Sequence, residues 1–98
     1  MKKVDSVLGV KKRSLPILKS HEVKRAAIFG SFARGQVKAS SDVDFLIEYK
    51  SKNKSLFDLV DLKSELEESL GRKVDIITYQ SIYWRIRERI LAEQVVIL

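Results

Sequence analysis

Residues 26–47 constrain the fold of this chain more than any other stretch, because two apolar runs flank a turn bounded by glycines. The first run, Ala-Ala-Ile-Phe at 26–29, ends at Gly30, as expected of a buried strand that arrives at a sharp turn. The second run, Val-Asp-Phe-Leu-Ile at 43–47, follows a polar connector at 36–41. The pattern predicts a strand, a short turn and a second strand of the same sheet.

The turn at 30–35 has the features of an anion-binding segment. Gly30 allows the backbone to approach a phosphate closely. Ser31 is the predicted N-cap of a helical turn that ends at Gly35, and it offers a hydroxyl together with the first amides of that turn. Arg34 either reaches a phosphate or forms a structural ion pair. Gly30, Ser31 and Arg34 are therefore the candidate phosphate-binding residues.

Three aspartates supply the candidate catalytic chemistry. Asp42 and Asp44 are two residues apart on the second predicted strand, so their side chains should leave the same face of the sheet. Asp75 is the single carboxylate of a third predicted strand at 72–78, and the structural alternative for it is an ion pair with Arg34 or Arg72. Converging carboxylates repel one another unless a cation lies among them, and Mg²⁺ prefers such hard oxygen ligands. The sequence therefore predicts a magnesium site at Asp42, Asp44 and Asp75, with two ions suited to in-line nucleotidyl transfer.

Helices are predicted on either side of these strands. Apolar positions between residues 4 and 21 favour helical segments, with Ser14 as an N-cap and Pro16 in the first turn. A third helix is predicted from Ser81 through about Glu93, with isoleucines on its buried side at positions 82, 86 and 90. The apolar residues 95–98 are expected to add a closing strand to the sheet.

The second predicted helix has the clearest boundaries. Ser55 and Asp58 have the spacing of a capping box, and Gly71 is placed as a C-cap. The acidic residues of this helix are expected on its solvated face. Its apolar positions at helical spacing are Leu56, Leu59, Val60, Leu66 and Leu70.

Composition limits the alternatives. The chain has 98 residues, which predicts a single domain over 1–98 with one small core. It contains no cysteine and one histidine, so any metal must be held mainly by oxygen. The net charge of +6 favours polyanions such as nucleotides, although direct binding of nucleic acid is not expected. Neither a signal peptide nor a membrane span is apparent, so a cytoplasmic protein is expected.

The joint pattern resembles a known family. Gly-Ser-Phe-Ala-Arg-Gly at 30–35, Ser-Asp-Val-Asp-Phe-Leu-Ile at 41–47 and Val-Asp-Ile-Ile at 74–77 are similar to the motifs of the minimal nucleotidyltransferases of the DNA polymerase β superfamily. The resemblance covers nearly the whole chain. It implies an α/β (α+β) fold in which a palm-like mixed, largely antiparallel sheet is packed against helices.

The resemblance also implies roles for the candidate residues. By it, Gly30 and Ser31 contact the phosphates of ATP, while Asp42 and Asp44 bind magnesium. Asp75 is the third carboxylate, beside the incoming nucleophile. Members of this subgroup are paired with HEPN-domain toxins, so the implied function is that of an antitoxin that transfers AMP to a tyrosine of the toxin, in a hetero-oligomer with it. The stretch at 83–87 is a candidate for part of the docking surface for this partner; the structural alternative is a helix segment with Ile86 in the core and its arginines in solvent.

Two other functions are compatible with the same residues. A non-catalytic antitoxin would neutralise its partner by binding alone, but three intact carboxylates favour an enzyme. A small-molecule nucleotidyltransferase that modifies an antibiotic shares the core motif and usually needs an additional domain for the drug.

Overall fold

The computed structural model describes residues 3–98; Met1 and Lys2, the first residues of the predicted domain, lie outside them. Four strands form one sheet in the order β3-β2-β1-β4. Strand β1 is antiparallel to β2 and β4, whereas β2 and β3 are parallel, which confirms the predicted mixed, largely antiparallel sheet. The strands are β1 (Val23–Phe29), β2 (Val43–Tyr49), β3 (Val74–Thr78) and β4 (Val95–Val96). The helices are α1 (Val7–Ser20), α2 (Leu56–Leu70) and α3 (Arg87–Glu93), with a short 3₁₀ helix at Tyr79–Ser81.

Both faces of the sheet are buried. Apolar side chains occupy consecutive positions along β2 and therefore point alternately to the two faces. Val43, Phe45 and Ile47 of β2 are fully buried in the larger core, which they share with residues of α1 and α2. Leu46 faces the opposite side and packs in a smaller core with residues 79–90. The near-continuous apolar run of β2 thus reflects a central strand covered on both sides.

Helix α1 is one continuous element, and the predicted cap at Ser14 is wrong. Ser6 caps the helix instead, with its hydroxyl accepting a hydrogen bond of 3.0 Å from a backbone amide in the first turn. Ser14 lies buried in the middle of the helix, where its hydroxyl donates to the carbonyl of Val10. Pro16 is tolerated inside the helix because burial of the surrounding face outweighs the one hydrogen bond that proline removes.

Helix α2 has the predicted ends but a different buried face. The Ser55 amide donates to the Asp58 carboxylate at 2.7 Å, and Gly71 ends the helix with a φ of 69°, so both caps are confirmed. The fully buried residues are Leu62, Leu66 and Leu70. The expectation that Leu56 and Val60 belong to this face is wrong, because their side chains are 73% and 53% exposed.

The third helix is shorter than predicted. Ser81 does not cap it, because the Ser81 hydroxyl pairs with that of Thr78 at 2.8 Å and the chain then runs extended through Ile82. Ile82 is buried, but Ile86 is 39% exposed and directly precedes the helix at Arg87–Glu93. Burial of Ile82 in the smaller core holds the backbone in an extended conformation that a helix from residue 81 would not permit.

The predicted closing strand is confirmed. Val95 and Val96 pair with Ile28 and Ala27 of β1, so the end of the described chain covers the second edge of that strand. Within residues 3–98 no helix has the length and apolar character needed to cross a membrane.

Replacement of Leu66 by alanine should lower the free energy of unfolding by about 2–5 kcal/mol, because it leaves a cavity in the core. The same replacement at Leu56 should cost less than about 0.5 kcal/mol, since that side chain is 73% exposed. Urea titrations of both variants measure the difference. Equal losses would contradict the assignment of the buried face of α2.

Candidate active site

The predicted site residues gather at one end of the sheet. Gly30 directly follows β1, Asp44 is the second residue of β2 and Asp75 is the second residue of β3. Since β1 is antiparallel to the other two strands, the end of β1 and the beginnings of β2 and β3 meet at this edge. Asp42 lies in the connector just before β2, so its expected position on the strand itself is wrong.

Strand register places two of the carboxylates side by side. Asp44 is opposite Asp75 in the parallel ladder and opposite Phe29 in the antiparallel one. Residues paired across a parallel ladder are about 4.8 Å apart and project from the same face of the sheet. The alternation confirms that face, because Leu46 and Ile77, two residues further along each strand, belong to the smaller core. Asp44 and Asp75 are therefore neighbours next to that core.

The turn after β1 approaches the Asp44 carboxylate closely. Gly30 has a φ of 74°, and a Cβ atom at this position would collide with the Oδ2 atom of Asp44. Two features therefore require glycine at this position: the positive φ and the lack of room for a Cβ atom. The Arg34 amide donates to the Gly30 carbonyl at 3.1 Å, which makes a single hydrogen-bonded turn that starts at Gly30. Ser31 therefore lies inside the turn and is not its N-cap.

The turn leaves several donors available. The backbone amides of residues 31, 32 and 33 donate to no protein acceptor within residues 3–98, and the Ser31 hydroxyl is likewise unpaired there. Gly35 closes the turn with a φ of 71°, as its glycine predicts. Successive free amides in a turn form a concave anion-binding surface. The segment therefore retains the donors that a phosphate group would use.

Arg34 forms a structural ion pair and also acts on the carboxylates. Its guanidinium lies 3.3 Å from the Glu93 carboxylate of α3. The charge of Arg34 also works against the rise of the pKa of Asp44. The pair with Glu93 supports the structural alternative considered from the sequence, and contact of the exposed guanidinium with a phosphate stays a prediction.

Asp44 is the most perturbed acid of the site. Burial raises its pKa from 3.8 to about 6, and the charges of Asp75 and then Asp42 add to the effect. The three aspartates therefore interact even though Asp42 precedes the strand. This electrostatic conflict is the arrangement that a bound cation would relieve.

The lining of the cleft around these aspartates fits a metal ion. The cleft has a volume of about 470 Å³, and Asp44, Asp75 and Phe29 line it together with Lys63 of α2. Within residues 3–98 no three acidic, histidine or cysteine side chains form a preformed metal cage. Mg²⁺ is usually held by only one or two carboxylates, with substrate phosphates and water as the remaining ligands. The paired carboxylates fit that mode, and the roles of the site residues stay a prediction.

The sequence suggested Arg72 only as an ion-pair partner of Asp75, and its actual role was missed. This residue is only 8% exposed and forms no ion pair with a carboxylate within residues 3–98. Its guanidinium donates to the carbonyls of Lys38 at 2.9 Å and Ser41 at 3.0 Å, and it also binds the Val4 carbonyl. It lies over the Phe32 ring, with its Cζ atom 5.1 Å from the ring centroid. Arg72 thus positions both the connector before Asp42 and the turn after β1.

A second missed residue fixes the start of β3. Glu67 of α2 accepts a hydrogen bond of 2.9 Å from the Val74 amide, next to Asp75. From the sequence it was expected on the solvated face of the helix. A basic residue directly after the helix-ending glycine was the one available sign of Arg72; the sequence offers no such sign for Glu67.

Comparison with known proteins identifies the class of this site. The family model of the polymerase β nucleotidyltransferases matches residues 13–98. The chain therefore belongs to the polymerase β nucleotidyltransferase family, as the motifs predicted. A relative from Methanocaldococcus jannaschii, named as a protein adenylyltransferase, is 53% identical over 89 residues, which cover 91% of this chain and 95% of the relative.

Further matches place the chain within this family. The protein adenylyltransferase MntA of Thermococcus cleftensis is 32% identical over 95 residues, 97% of this chain and 93% of that protein. The solved structure of a minimal nucleotidyltransferase superposes with a TM-score of 0.79 at 31% identity, covering 96% of this chain and 95% of the other. A toxin–antitoxin complex with AMP-PNP shares the fold, with a TM-score of 0.77 at 16% identity over 90% of this chain and 72% of that one.

Replacement of Arg72 by lysine should destabilise the protein by about 2–4 kcal/mol, because an ammonium cannot reproduce the several hydrogen bonds to carbonyls. Urea unfolding measures the loss. Arg89→Lys is the matched control, since Arg89 is exposed on α3. A loss of the same size in both variants would contradict the positioning role of Arg72.

Asp44→Asn should stabilise the metal-free protein at high pH. The carboxylate has a pKa of about 6 in the folded protein against an ordinary 3.8, so it binds its proton more tightly when folded. The contribution of this carboxyl to wild-type stability is then most favourable below about pH 4, declines between about pH 4 and 6, and is constant above that range. The gain expected at pH 8 is on the order of 1–2 kcal/mol, allowing for partial exposure.

Unfolding in the presence of a chelator, at pH 8 and at pH 4, tests this expectation. The gain should be much smaller at pH 4, because the Asp44 carboxyl is then protonated in the folded protein and only about half ionised in the unfolded one. Asp61→Asn, an exposed change on α2, serves as the control. A gain of equal size at both pH values would show that the raised pKa is not its cause.

Proposed function

We propose that this protein transfers AMP from ATP to a hydroxyl group of a partner protein, with Mg²⁺ bound at Asp42, Asp44 and Asp75. The observation that carries the proposal is the contact between the Gly30 turn, with its free amides, and the Asp44 carboxylate beside Asp75. Family membership supports the reaction type. The names of the relatives, which are protein adenylyltransferases, support AMP and a protein acceptor.

The reaction is a displacement at the α-phosphorus of ATP. The acceptor oxygen forms a bond to this phosphorus, the bond to the bridging oxygen breaks, and pyrophosphate leaves. The Gly30 turn and the Ser31 hydroxyl hold the phosphates through their free donors. Asp75 lies on the edge strand, where it can accept the proton of the acceptor hydroxyl. Bound Mg²⁺ would neutralise the phosphates and lower the pKa of the attacking hydroxyl.

The proposed partner is a HEPN-domain toxin, and the proposed acceptor is one of its tyrosines. Structural neighbours that share the fold come from toxin–antitoxin complexes, which supports a role as the antitoxin of such a pair. Tyr83 and Trp84 lie on the segment before α3 and are 56% and 71% exposed. We assign them to the docking surface, as the sequence suggested. Residues 1–98 would act as one catalytic domain in the cytoplasm, where ATP is available.

Incubation with ATP, Mg²⁺ and the proposed HEPN-domain partner should increase the mass of that protein by whole AMP units. Intact-protein mass spectrometry measures the increase. Asp42→Asn and Asp44→Asn should each abolish transfer, because a neutral amide is a poor ligand for Mg²⁺. Asp61→Asn makes the same chemical change outside the site and should leave the rate unchanged.

Two results would contradict the proposal. An unmodified partner in a stable complex with the wild-type protein would show that neutralisation works by binding alone. Full activity of both Asp42→Asn and Asp44→Asn would show that the metal is not held by these residues.

A further inference from the structure

A second cleft lies at the opposite end of the sheet from the aspartates. It has a volume of about 770 Å³ and is lined by residues from the start of β1, the end of β2 and the end of β3. Glu48 and Tyr49 of β2 border it, whereas Asp44 of the same strand belongs to the active site. At about 3.3 Å per strand residue, the two centres are separated by roughly 15 Å.

This cleft carries an excess of positive charge, and we call it the basic cleft. Glu48 is its one carboxylate and already pairs with Arg25 at 3.0 Å. Lys24, Lys50 and Lys52 form no ion pair with any of residues 3–98. A concave surface with such an excess of one sign attracts ligands of the opposite charge. Its basic side chains are Lys24, Arg25, Lys50, Lys52, Lys54 and Arg87.

The aromatic rings of the basic cleft are already covered by cations. The Arg25 guanidinium carbon lies 3.9 Å from the centroid of the Tyr79 ring, and the Lys54 Nζ atom lies 5.7 Å from that of Tyr49. Tyr79 is also only 5% exposed. Proteins that bind single-stranded nucleic acid offer exposed rings on which bases stack. The basic cleft offers charge without free ring faces, which favours a carboxylate-rich peptide over a nucleic acid.

The basic cleft adjoins the cleft of the candidate active site. Leu56 and Leu59 of α2 line both clefts, and we call the two adjoining clefts together the groove. Leu56 and the adjacent Phe57 are 73% and 83% exposed. A bound chain would therefore cross an apolar strip between a region of positive charge and the carboxylates. The roughly 15 Å between them corresponds to about five residues of extended chain.

We propose that the basic cleft binds an acidic segment of the protein acceptor, about five residues from the hydroxyl that is modified. The proposal rests on the proposed function for the identity of the acceptor. Its physical content is independent of catalysis, because the cations do not belong to the aspartate site. The acceptor is then recognised by charge at one end of the groove and modified at the other.

Fluorescence anisotropy of a labelled decaglutamate peptide, measured without ATP, tests the basic cleft directly. The wild-type protein should bind this peptide with an affinity that falls as salt is added. Lys50→Glu/Lys52→Glu should weaken binding by about tenfold or more, since two exposed cations become repulsive. Lys11→Glu/Lys12→Glu changes the net charge equally on the exposed side of α1 and should weaken it less than about twofold.

Three results would overturn the inference. One is an equal loss of peptide binding in the two double variants, and another is no binding by the wild-type protein at low salt. The third is tighter binding of a decauridylate, with that affinity lost in Lys50→Glu/Lys52→Glu, which would assign the cleft to nucleic acid.

The AMP-transfer assay separates this inference from the proposed function. With the HEPN-domain acceptor, Lys50→Glu/Lys52→Glu should raise the KM for the protein about tenfold while kcat and the KM for ATP stay unchanged. Asp44→Asn should bind decaglutamate like the wild-type protein. Failure of AMP transfer by the wild-type protein would remove the proposed function and leave the peptide-binding result standing. An unchanged KM for the acceptor would contradict the role of the cleft in the reaction.

Discussion

The buried guanidinium of Arg72 is the interaction on which the site depends. Its bonds to the carbonyls of Lys38 and Ser41 fix the connector two residues before β2 begins, and Arg72 itself lies two residues before β3 begins. The starts of both strands are therefore joined through one side chain. A buried cation surrounded by carbonyl dipoles is satisfied only while all of them are in place. Displacement of the connector would leave this charge without its partners, so the connector has little freedom.

The strand starts matter because they set the distance between like charges. Parallel pairing puts Asp44 directly beside Asp75, and burial next to Phe29 reduces the screening of their repulsion by water. A shift of one residue would send one of the two side chains to the other face of the sheet. The larger core opposes this shift, since Val43 and Phe45 would lose their burial with it. Core packing thus enforces an unfavourable contact that is useful for binding a cation.

The sequence predicted the parts of this molecule that depend on local pattern. Residues 26–47 specified the turn and its strands, and the capping residues Ser55 and Gly71 specified the ends of α2. The features that the sequence did not predict depend on contacts between residues that are far apart in the sequence. The buried face of α2 follows from where α1 and the sheet lie, so Leu62 is inside and Leu56 outside. The late start of α3 depends on Ile82 entering the smaller core.

The same limit applies to the candidate site. Gly30, Asp44 and Asp75 were found because each carries a local sign, a glycine at a strand end or a carboxylate in an apolar run. Arg72 binds residues more than thirty positions away in the sequence, and a single sequence does not show which distant residues are in contact. The basic cleft was not predicted from the sequence for a related reason. Its cations come from separate segments, each of which resembles an ordinary solvated surface until the ends of three strands bring them together.

In the proposed reaction, the two ends of the sheet act differently on an acidic protein acceptor. Before a metal ion binds, the three carboxylates repel an acidic protein as well as a phosphate, so the metal-free site by itself selects against a negatively charged acceptor. Attraction at the basic cleft, roughly 15 Å away along β2, offsets this repulsion without placing a cation that competes for the metal ligands. Binding free energy from contacts remote from the reacting atoms can orient the acceptor hydroxyl at Asp75 and exclude hydroxyls that lack the distant acidic segment. The rigid central strand β2, buried on both faces, keeps the two ends at a fixed distance. Specificity for one protein acceptor can therefore arise from charge and spacing within the same small sheet that supports the chemistry.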